Sequence, residues 1–285
     1  MIRATDYVID ESNYNDRLVS YLPERGRGLV PRDMEAYPVG SYEGSVPYSA
    51  IKDKLPLIPW ADMPELIRER VANKTQLSDM RNTFLDGKPM PYHPQGNSNF
   101  CWSYAAVHAL EGQRMKNNLP YVPLSPHGVG CKIFNYSNRG GWSAKATAFI
   151  MREGAPPETH WPQQSWSRSH DNERTWQEAK KYRFTEGWID YDAPDYDRDM
   201  TFQAVLSCLI WLNPIPADFN HMSHAVCLYD AVDAFPSLPA TDPNRYGVRF
   251  LNSWKGWGDN GMGVLTKRLA RPDNAVCPRA PVLSA

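Results

Sequence analysis

The sequence has none of the patterns that mark a metal-binding, secreted or membrane-spanning chain. Its five cysteines are scattered and no two are spaced as C-x-x-C, so we expect no metal site. The N-terminal stretch is polar and unlike a signal peptide, and an odd cysteine count without such a signal favours a reducing, cytoplasmic compartment. The longest apolar run, residues 204–212, is shorter than the ~20 residues that cross a bilayer, so we expect no membrane insertion.

Charge of neither sign is in excess. The chain has 31 Lys+Arg against 32 Asp+Glu, which gives no electrostatic footprint for nucleic acid. No cofactor is expected either. The hydrophobic share is 42% and includes ten Trp, which is enough for a sizeable core in a chain of 285 residues. We therefore expect one large domain with an extension.

The extension is predicted over residues 1–60 and the domain over residues 61–285. Residues 1–60 hold six of the fifteen Tyr and six Pro, with no helical or alternating periodicity. Such a stretch cannot build a core alone, but its aromatic residues argue against a solvated linker. It is therefore interpreted as an extended arm that lies on another surface.

The rest of the chain changes from helical patterns to strand patterns. Helices are predicted from residue 63 to about 74, from Cys101 onwards, over 142–153 with a stop at Gly154, over 172–182 and before Asn213. Strands are predicted over 214–219, 224–232, 246–254 and 261–267. Helices first and antiparallel strands later indicate an α+β protein with two lobes.

A short string with chemical meaning precedes the central helix. It runs from Gln95 and Gly96 to the pair Cys101-Trp102. A cysteine at a helix N-terminus is expected to have a lowered pKa, because the helix dipole favours a thiolate. A glutamine shortly before it can donate its side-chain amide to an oxyanion, together with the backbone N–H of Cys101.

Two later motifs supply the partners that a thiol nucleophile needs. His224, in His-Ala-Val, is the candidate base, and Asn252, in Asn-Ser-Trp, is the candidate for holding its imidazole. His221 and His108 are the rival bases, since one lies three residues earlier and the other lies two turns along the Cys101 helix. The tryptophan of the Asn-Ser-Trp motif, Trp254, would cover the pair and exclude water.

The order Gln, Cys, His, Asn and the motifs around them resemble those of papain-like (C1 family) cysteine peptidases. The resemblance covers about residues 88–268 and implies a papain-like fold with a helical lobe and an antiparallel β lobe. It also implies a peptide or protein substrate. By position, the resemblance assigns substrate binding to Gly140, Gly141, Trp142, Met222, Ala225 and Trp254, of which Trp142, Met222 and Ala225 would form an apolar pocket.

Two departures from the family pattern stand out. The usual disulfide of the family would join the positions of Ser98 and Asn138, and both half-cystines are absent together, which suits a reducing compartment. Asn99 and Phe100 replace the small residues that usually precede the nucleophile, and Phe100 is expected to narrow the cleft.

Two functions follow as hypotheses. The first is a thiol-dependent peptidase. The second is a structural assembly component with the same fold, active or not, because the chain also resembles, more loosely, papain-like proteins of bacterial viruses. That alternative implies a virion as the location. In either case we expect residues 1–60 to make assembly contacts and to be an anchor rather than a removable propeptide.

Overall fold

The computed structural model describes residues 1–18, 28–37, 55–185, 188–191 and 198–279, and for 188–190 and 198–200 the backbone alone. Residues 19–27 and 38–54 of the predicted arm lie outside this description. The helices are α1 (Tyr14–Arg17), α2 (Met63–Ala72), α3 (Leu77–Thr83), α4 (Cys101–Lys116), α5 (Pro126–Ile133), α6 (Ser143–Glu153), α7 (Glu173–Ala179) and α8 (Arg198–Ile210). The strands are β1 (Val8–Ile9), β2 (Trp188–Asp190), β3 (Ile215–Phe219), β4 (His224–Asp233), β5 (Tyr246–Leu251), β6 (Met262–Thr266) and β7 (Asn274–Pro278).

Helix α4 is the centre of the helical lobe, and it begins at Cys101 as the sequence predicts. Small residues let its neighbours approach closely: a Cβ at Gly112 would lie 3.1 Å from the Cγ of Pro214. Helix α6 also ends where predicted, at Gly154, whose φ of 86° is a left-handed value that glycine adopts without strain. These two helices are therefore fixed by signals that are local in the sequence.

A seven-stranded sheet forms the second lobe, in the order β1-β6-β5-β4-β3-β7-β2. All pairs are antiparallel except β1 with β6, which is parallel. The four predicted strands are confirmed as β3 to β6. Strands β1, β2 and β7 and helices α3 and α5 were not predicted, because each is short and none has a clear periodicity.

The two lobes have separate apolar cores on either side of the sheet. Residues of α4 and α6 pack with Ala225, Cys227 and Leu251 of the sheet in one core. Residues of α2 and α8 pack against the other face in the second core. The architecture is therefore the expected α+β fold with a helical lobe and an antiparallel β lobe.

Residues 1–18 are built into the β lobe. Val8 pairs with Val264 at the edge of the sheet, and Ile9 and Leu18 are completely buried in the core. The buried guanidinium of Arg249 donates to both carboxylate oxygens of Asp6, at 2.9 and 2.7 Å. This part of the chain is thus held by backbone pairing, apolar burial and a buried ion pair at once.

Candidate active site

Cys101 lies at the first position of α4 and is completely buried. The backbone N–H groups of Ala225 and Gly28 form hydrogen bonds with its sulfur. Burial raises the pKa of the Cys101 thiol to about 12, and those hydrogen bonds offset only part of the rise. The sequence predicts a lowered pKa from the helix N-terminus, so the structure differs because desolvation of the thiolate outweighs the dipole.

His224 and Asn252 come together at the ends of neighbouring strands. His224 begins β4, Asn252 directly follows β5, and both are completely buried. The Nε2 of His224 is 2.9 Å from the Oδ1 of Asn252. Because an amide oxygen can only accept, Nε2 carries the proton and Nδ1 has a free lone pair. Among the described residues this Nδ1 atom has no hydrogen-bond partner.

The surroundings keep the imidazole neutral. Burial lowers the pKa of His224 to about 4, although the hydrogen bond to Asn252 acts in the opposite direction. The ring of Trp254 stacks on the imidazole with 4.4 Å between the centroids and 29° between the planes. Trp254 therefore covers the pair at the place the sequence indicates.

The two rival histidines have other partners. The Nδ1 of His221 is 3.0 Å from the hydroxyl of Tyr14, and its Nε2 is 3.3 Å from the carbonyl oxygen of Leu269. The Nε2 of His108 accepts a hydrogen bond from the backbone N–H of His93 at 3.3 Å. His221 is thus joined to Tyr14 of α1, and His108 to the segment that precedes Gln95.

Hydrogen bonds hold Gln95 against the segment that carries Asn252. Its backbone N–H donates to the carbonyl oxygen of Ser253 at 2.8 Å, and its Oε1 accepts from the Ser253 hydroxyl at 2.5 Å. Its Nε2 donates to the carbonyl oxygen of Ser98 at 2.8 Å. Ser253 was missed from the sequence, although it stands inside the Asn-Ser-Trp motif that was singled out.

A buried charged cluster lies two residues before Gln95. The ring nitrogens of His93 are 2.7 Å from Glu111 and 2.9 Å from Glu158. Burial alone would lower the pKa of His93, but the two carboxylates raise it to about 9. Through Glu111 the cluster joins the segment that carries Gln95 to α4, and through Glu158 it joins the same segment to the loop after α6. No sequence motif indicated it, because its members are far apart in the chain.

The predicted substrate-binding residues separate into different surroundings. Gly140, Gly141 and Trp142 directly precede α6, and Trp142 packs in a small cluster with Ala144, Ala148 and Val276. Met222 and Ala225 are buried in the two large cores rather than in this cluster. Of the three residues expected to share an apolar pocket, the structure thus places only Trp142 in the small cluster.

Residues 28–30, called the covering segment below, lie across residues 140–142. The N–H of Gly141 donates to the carbonyl oxygen of Gly28 at 2.8 Å, and the N–H of Val30 donates to the carbonyl oxygen of Gly141 at 3.0 Å. The resulting bridge between Leu29 and Gly141 is parallel. Leu29 packs against the cluster of Trp142, so residues 28–30 occupy both the backbone of Gly141 and the apolar cluster beside it.

Two loop residues differ from what their positions suggested. Asn138 accepts from the backbone N–H of Asn99 at 2.6 Å and donates to the carbonyl oxygen of Asn97 at 3.4 Å, so hydrogen bonds join the loops that the family disulfide would join. All five cysteines are free.

Phe100 is completely buried, and a Cβ at Gly130 would meet its ring at 2.5 Å. The expectation that Phe100 narrows the cleft is therefore not met, because the ring points into the helical lobe.

Within the described part of the chain, no group of three potential metal ligands is close enough to hold an ion. No helix there is both long and apolar enough to cross a membrane.

Comparison with known proteins agrees with this geometry. The model of the papain family cysteine proteases matches residues 76–231, which is more than half of the chain. Zingipain-2 of Zingiber officinale is 33% identical over 70 residues, which are 24% of this chain and 32% of zingipain-2. The aligned region thus spans about a third of that relative.

Solved structures show the same fold at low sequence identity. Digestive procathepsin L 3 from the larval midgut of Tenebrio molitor has a TM-score of 0.56 at 16% identity, covering 96% of this chain and 83% of its own. Xylellain, a cysteine protease from Xylella fastidiosa, has a TM-score of 0.54 at 15% identity, covering 90% and 97% respectively. The chain belongs to the papain family of cysteine proteases.

Proposed function

We propose that this chain is a thiol-dependent peptidase with Cys101 as nucleophile, His224 as base, Asn252 as the residue that orients the base, and Gln95 as an oxyanion donor. One observation carries the proposal. Among the described residues, the Nδ1 of His224 is a buried acceptor without a partner, and the next residue, Ala225, contacts the Cys101 sulfur through its N–H. A free lone pair beside a nucleophile is what general-base catalysis requires.

In the proposed reaction the Cys101 thiol gives its proton to His224 Nδ1 while the sulfur bonds to the carbonyl carbon of the scissile peptide. The oxyanion that forms accepts hydrogen bonds from the Gln95 amide and the Cys101 backbone N–H. The imidazolium then returns the proton to the leaving amine as the C–N bond breaks. Water hydrolyses the thioester, and its proton passes through His224 back to the thiol.

The resting site is latent in this proposal. With the thiol pKa raised to about 12 and the imidazole pKa lowered to about 4, the neutral pair is favoured over the ion pair. Burial is the largest cause of both shifts, and residues 28–30 contribute to it. The direction of this segment is also unlike that of a substrate. The segment contacts Cys101 with Gly28 first and Gly141 with Leu29 next, whereas a substrate would contact Gly141 with its acyl side first and reach Cys101 afterwards. The covering segment is thus not itself presented for cleavage.

Leu29 also supports a substrate preference. Its side chain lies among Trp142, Ala144, Ala148 and Val276, all uncharged. We therefore assign this cluster to the second residue before the scissile bond and expect that residue to be apolar. Met222 and Ala225, which the family resemblance adds to this pocket, keep that assignment as a prediction.

A peptide epoxide directed at thiols tests the peptidase proposal. Incubation at pH 7 with the full chain carrying Gly28→Ala, which displaces residues 28–30, is expected to place the label on Cys101 by mass spectrometry. Adding His224→Ala is expected to abolish labelling. His170→Ala, at a histidine remote from Cys101, is the matched control. Labelling that His224→Ala leaves unchanged would contradict the role of His224 as base.

An assembly component, for example of a virion, is the second candidate. The covered thiol favours it, because a structural protein can keep the fold with its cleft filled. On this alternative, residues 1–60 would provide the contacts to the assembly. Absence of epoxide labelling even after the covering segment is displaced would favour it over the peptidase. For either candidate we propose a reducing compartment, in keeping with five free cysteines.

A further inference from the structure

A cavity of about 430 Å³ lies beside Gln95 on the surface of the helical lobe. Among the described residues, no carboxylate, ammonium or guanidinium group lines it. This part of the wall is made of amides, hydroxyls, an imidazole and an indole, from Gln95, Asn97, Ser98, His127, Tyr136, Asn138, Gln164 and Trp166. A charged ligand group would find no counterion among them.

His127 in this wall is a buried polar group without a partner. Its side chain is 1% exposed, and neither ring nitrogen has a hydrogen-bond partner among the described residues. The ring is held edge-on by Trp166, with 4.5 Å between centroids, and by Phe100, with 5.2 Å. Burial lowers the pKa of His127 to about 4, so at neutral pH it offers one donor and one acceptor. Leaving both unpaired costs free energy that a ligand would recover.

The position of the cavity relative to Cys101 defines which part of a substrate would enter it. Gln95, the proposed oxyanion donor, is part of the wall, so the cavity adjoins the carbonyl under attack. Asn138, also in the wall, lies just before Gly141, which binds backbone on the acyl side in the proposed complex. The covering segment presents Gly28 here, and a Cβ at Gly28 would lie 1.7 Å from the carbonyl oxygen of Asn99. Gly28 has no side chain with which to fill the cavity.

We propose that this cavity, called the acyl-side pocket, selects substrates with glutamine, a long neutral amide side chain, immediately before the scissile bond. This inference rests on the proposed peptidase activity. A primary amide offers both a donor and an acceptor, so it can pair with whichever nitrogen of His127 it reaches. Glutamate or lysine would be desolvated without a counterion, and methionine would leave His127 unpaired.

Four peptidyl acyloxymethyl ketones test the pocket. They differ only in the residue next to the reactive group, which is Gln, Glu, Met or Lys. The rate constant for labelling Cys101 of the full chain at pH 7 is measured by mass spectrometry. Because the covering segment opens equally for all four, it cancels in the ratios. The Gln probe is expected to react about tenfold faster than the Glu, Met and Lys probes.

The variant His127→Phe keeps an aromatic ring but removes both nitrogens. It is expected to reduce the Gln-to-Met ratio to about one, whereas the control His160→Phe keeps the ratio. Equal rates for all four probes, or a faster Glu, Met or Lys probe, would overturn the pocket alone, and the wild-type comparison decides this even if the variant fails to fold. Labelling by none of the probes, in the wild type and in Gly28→Ala alike, would overturn the peptidase proposal and the pocket with it.

Discussion

The N–H of Gly141 donates a hydrogen bond of 2.8 Å to the carbonyl oxygen of Gly28. This contact joins a glycine of the cleft to a residue far upstream, and the N–H of that same Gly28 reaches the sulfur of Cys101. A single residue of the N-terminal region therefore contacts both the proposed backbone-binding position and the proposed nucleophile. In our proposal, the resting state of the site depends on whether Gly28 stays in place.

Gly28→Ala is expected to displace the covering segment. A Cβ there would lie 1.7 Å from the carbonyl oxygen of Asn99, a separation that only a shift of the backbone can relieve. We expect Cys101 alkylation by iodoacetamide to become at least about tenfold faster, since access and thiolate fraction both rise. The pH at which alkylation is half-maximal should fall, because burial is the main cause of the raised Cys101 pKa. Glu35→Ala, an exposed change in the same region, is the control, and an unchanged rate in Gly28→Ala would argue against the segment as the cover.

Asn252→Ala is expected to slow peptidase turnover about a hundredfold. The substitution removes the acceptor that fixes the proton of His224 on Nε2, so the imidazole loses its orientation and tautomer. Turnover is compared in a Gly28→Ala background, with Asn244→Ala as the control at an exposed turn. A loss confined to KM, with kcat intact, would show that Asn252 does not act through the base.

His93 is expected to make stability depend on pH in the alkaline range. Its pKa in the folded protein is about 9, above the ordinary 6.5, so its contribution is full below about pH 6.5 and is lost as the pH rises through 9. At pH 6, His93→Gln should lower the free energy of unfolding by on the order of 3 kcal/mol, because it leaves Glu111 and Glu158 without a cation.

Urea unfolding between pH 6 and pH 9.5 measures this dependence. The difference between the wild type and His93→Gln should shrink across that interval, while His93→Lys should keep the cation at higher pH. His170→Gln is the control. A difference between the wild type and His93→Gln that stays constant with pH would mean that His93 is neutral in the folded protein.

Asp6→Ala is expected to destabilise the β lobe by roughly 3 kcal/mol. The guanidinium of Arg249 is buried between Asp6 and Asp230, so loss of one carboxylate leaves a partly compensated charge in the interior. Thermal unfolding of Asp6→Ala and of the exposed control Glu69→Ala provides the measurement. Equal midpoints would indicate that residues 1–18 contribute little to the stability of the domain.

Sequence alone predicted the features that local signals encode. The start of α4 at Cys101 follows a Pro/Gly-rich lead-in, and the end of α6 at Gly154 needs a positive φ, so both were accessible. The contact of His224 with Asn252 followed from motif order. The cluster around His93 and the placement of Leu29 did not, because each depends on segments brought together only by the fold.

The pKa of Cys101 illustrates the same limit. A helix N-terminus is visible in the sequence, and it favours a thiolate. Burial overrides it, and the backbone N–H groups of Gly28 and Ala225, both far from Cys101 in the chain, lower the pKa only in part. Local electrostatics could be predicted, whereas desolvation by distant segments could not.

The covering segment is joined to the domain on both sides. Before it, Leu18 is buried in the β-lobe core, and after it, Ile58 is buried in the same core. In the proposed resting state, a blocking segment that belongs to the same chain has an effective concentration set by that chain and not by the amount of protein in solution. Dilution is therefore expected to leave the block unchanged. A competing substrate must displace a segment that cannot diffuse away, and cutting the chain on one side of the segment would leave it attached on the other.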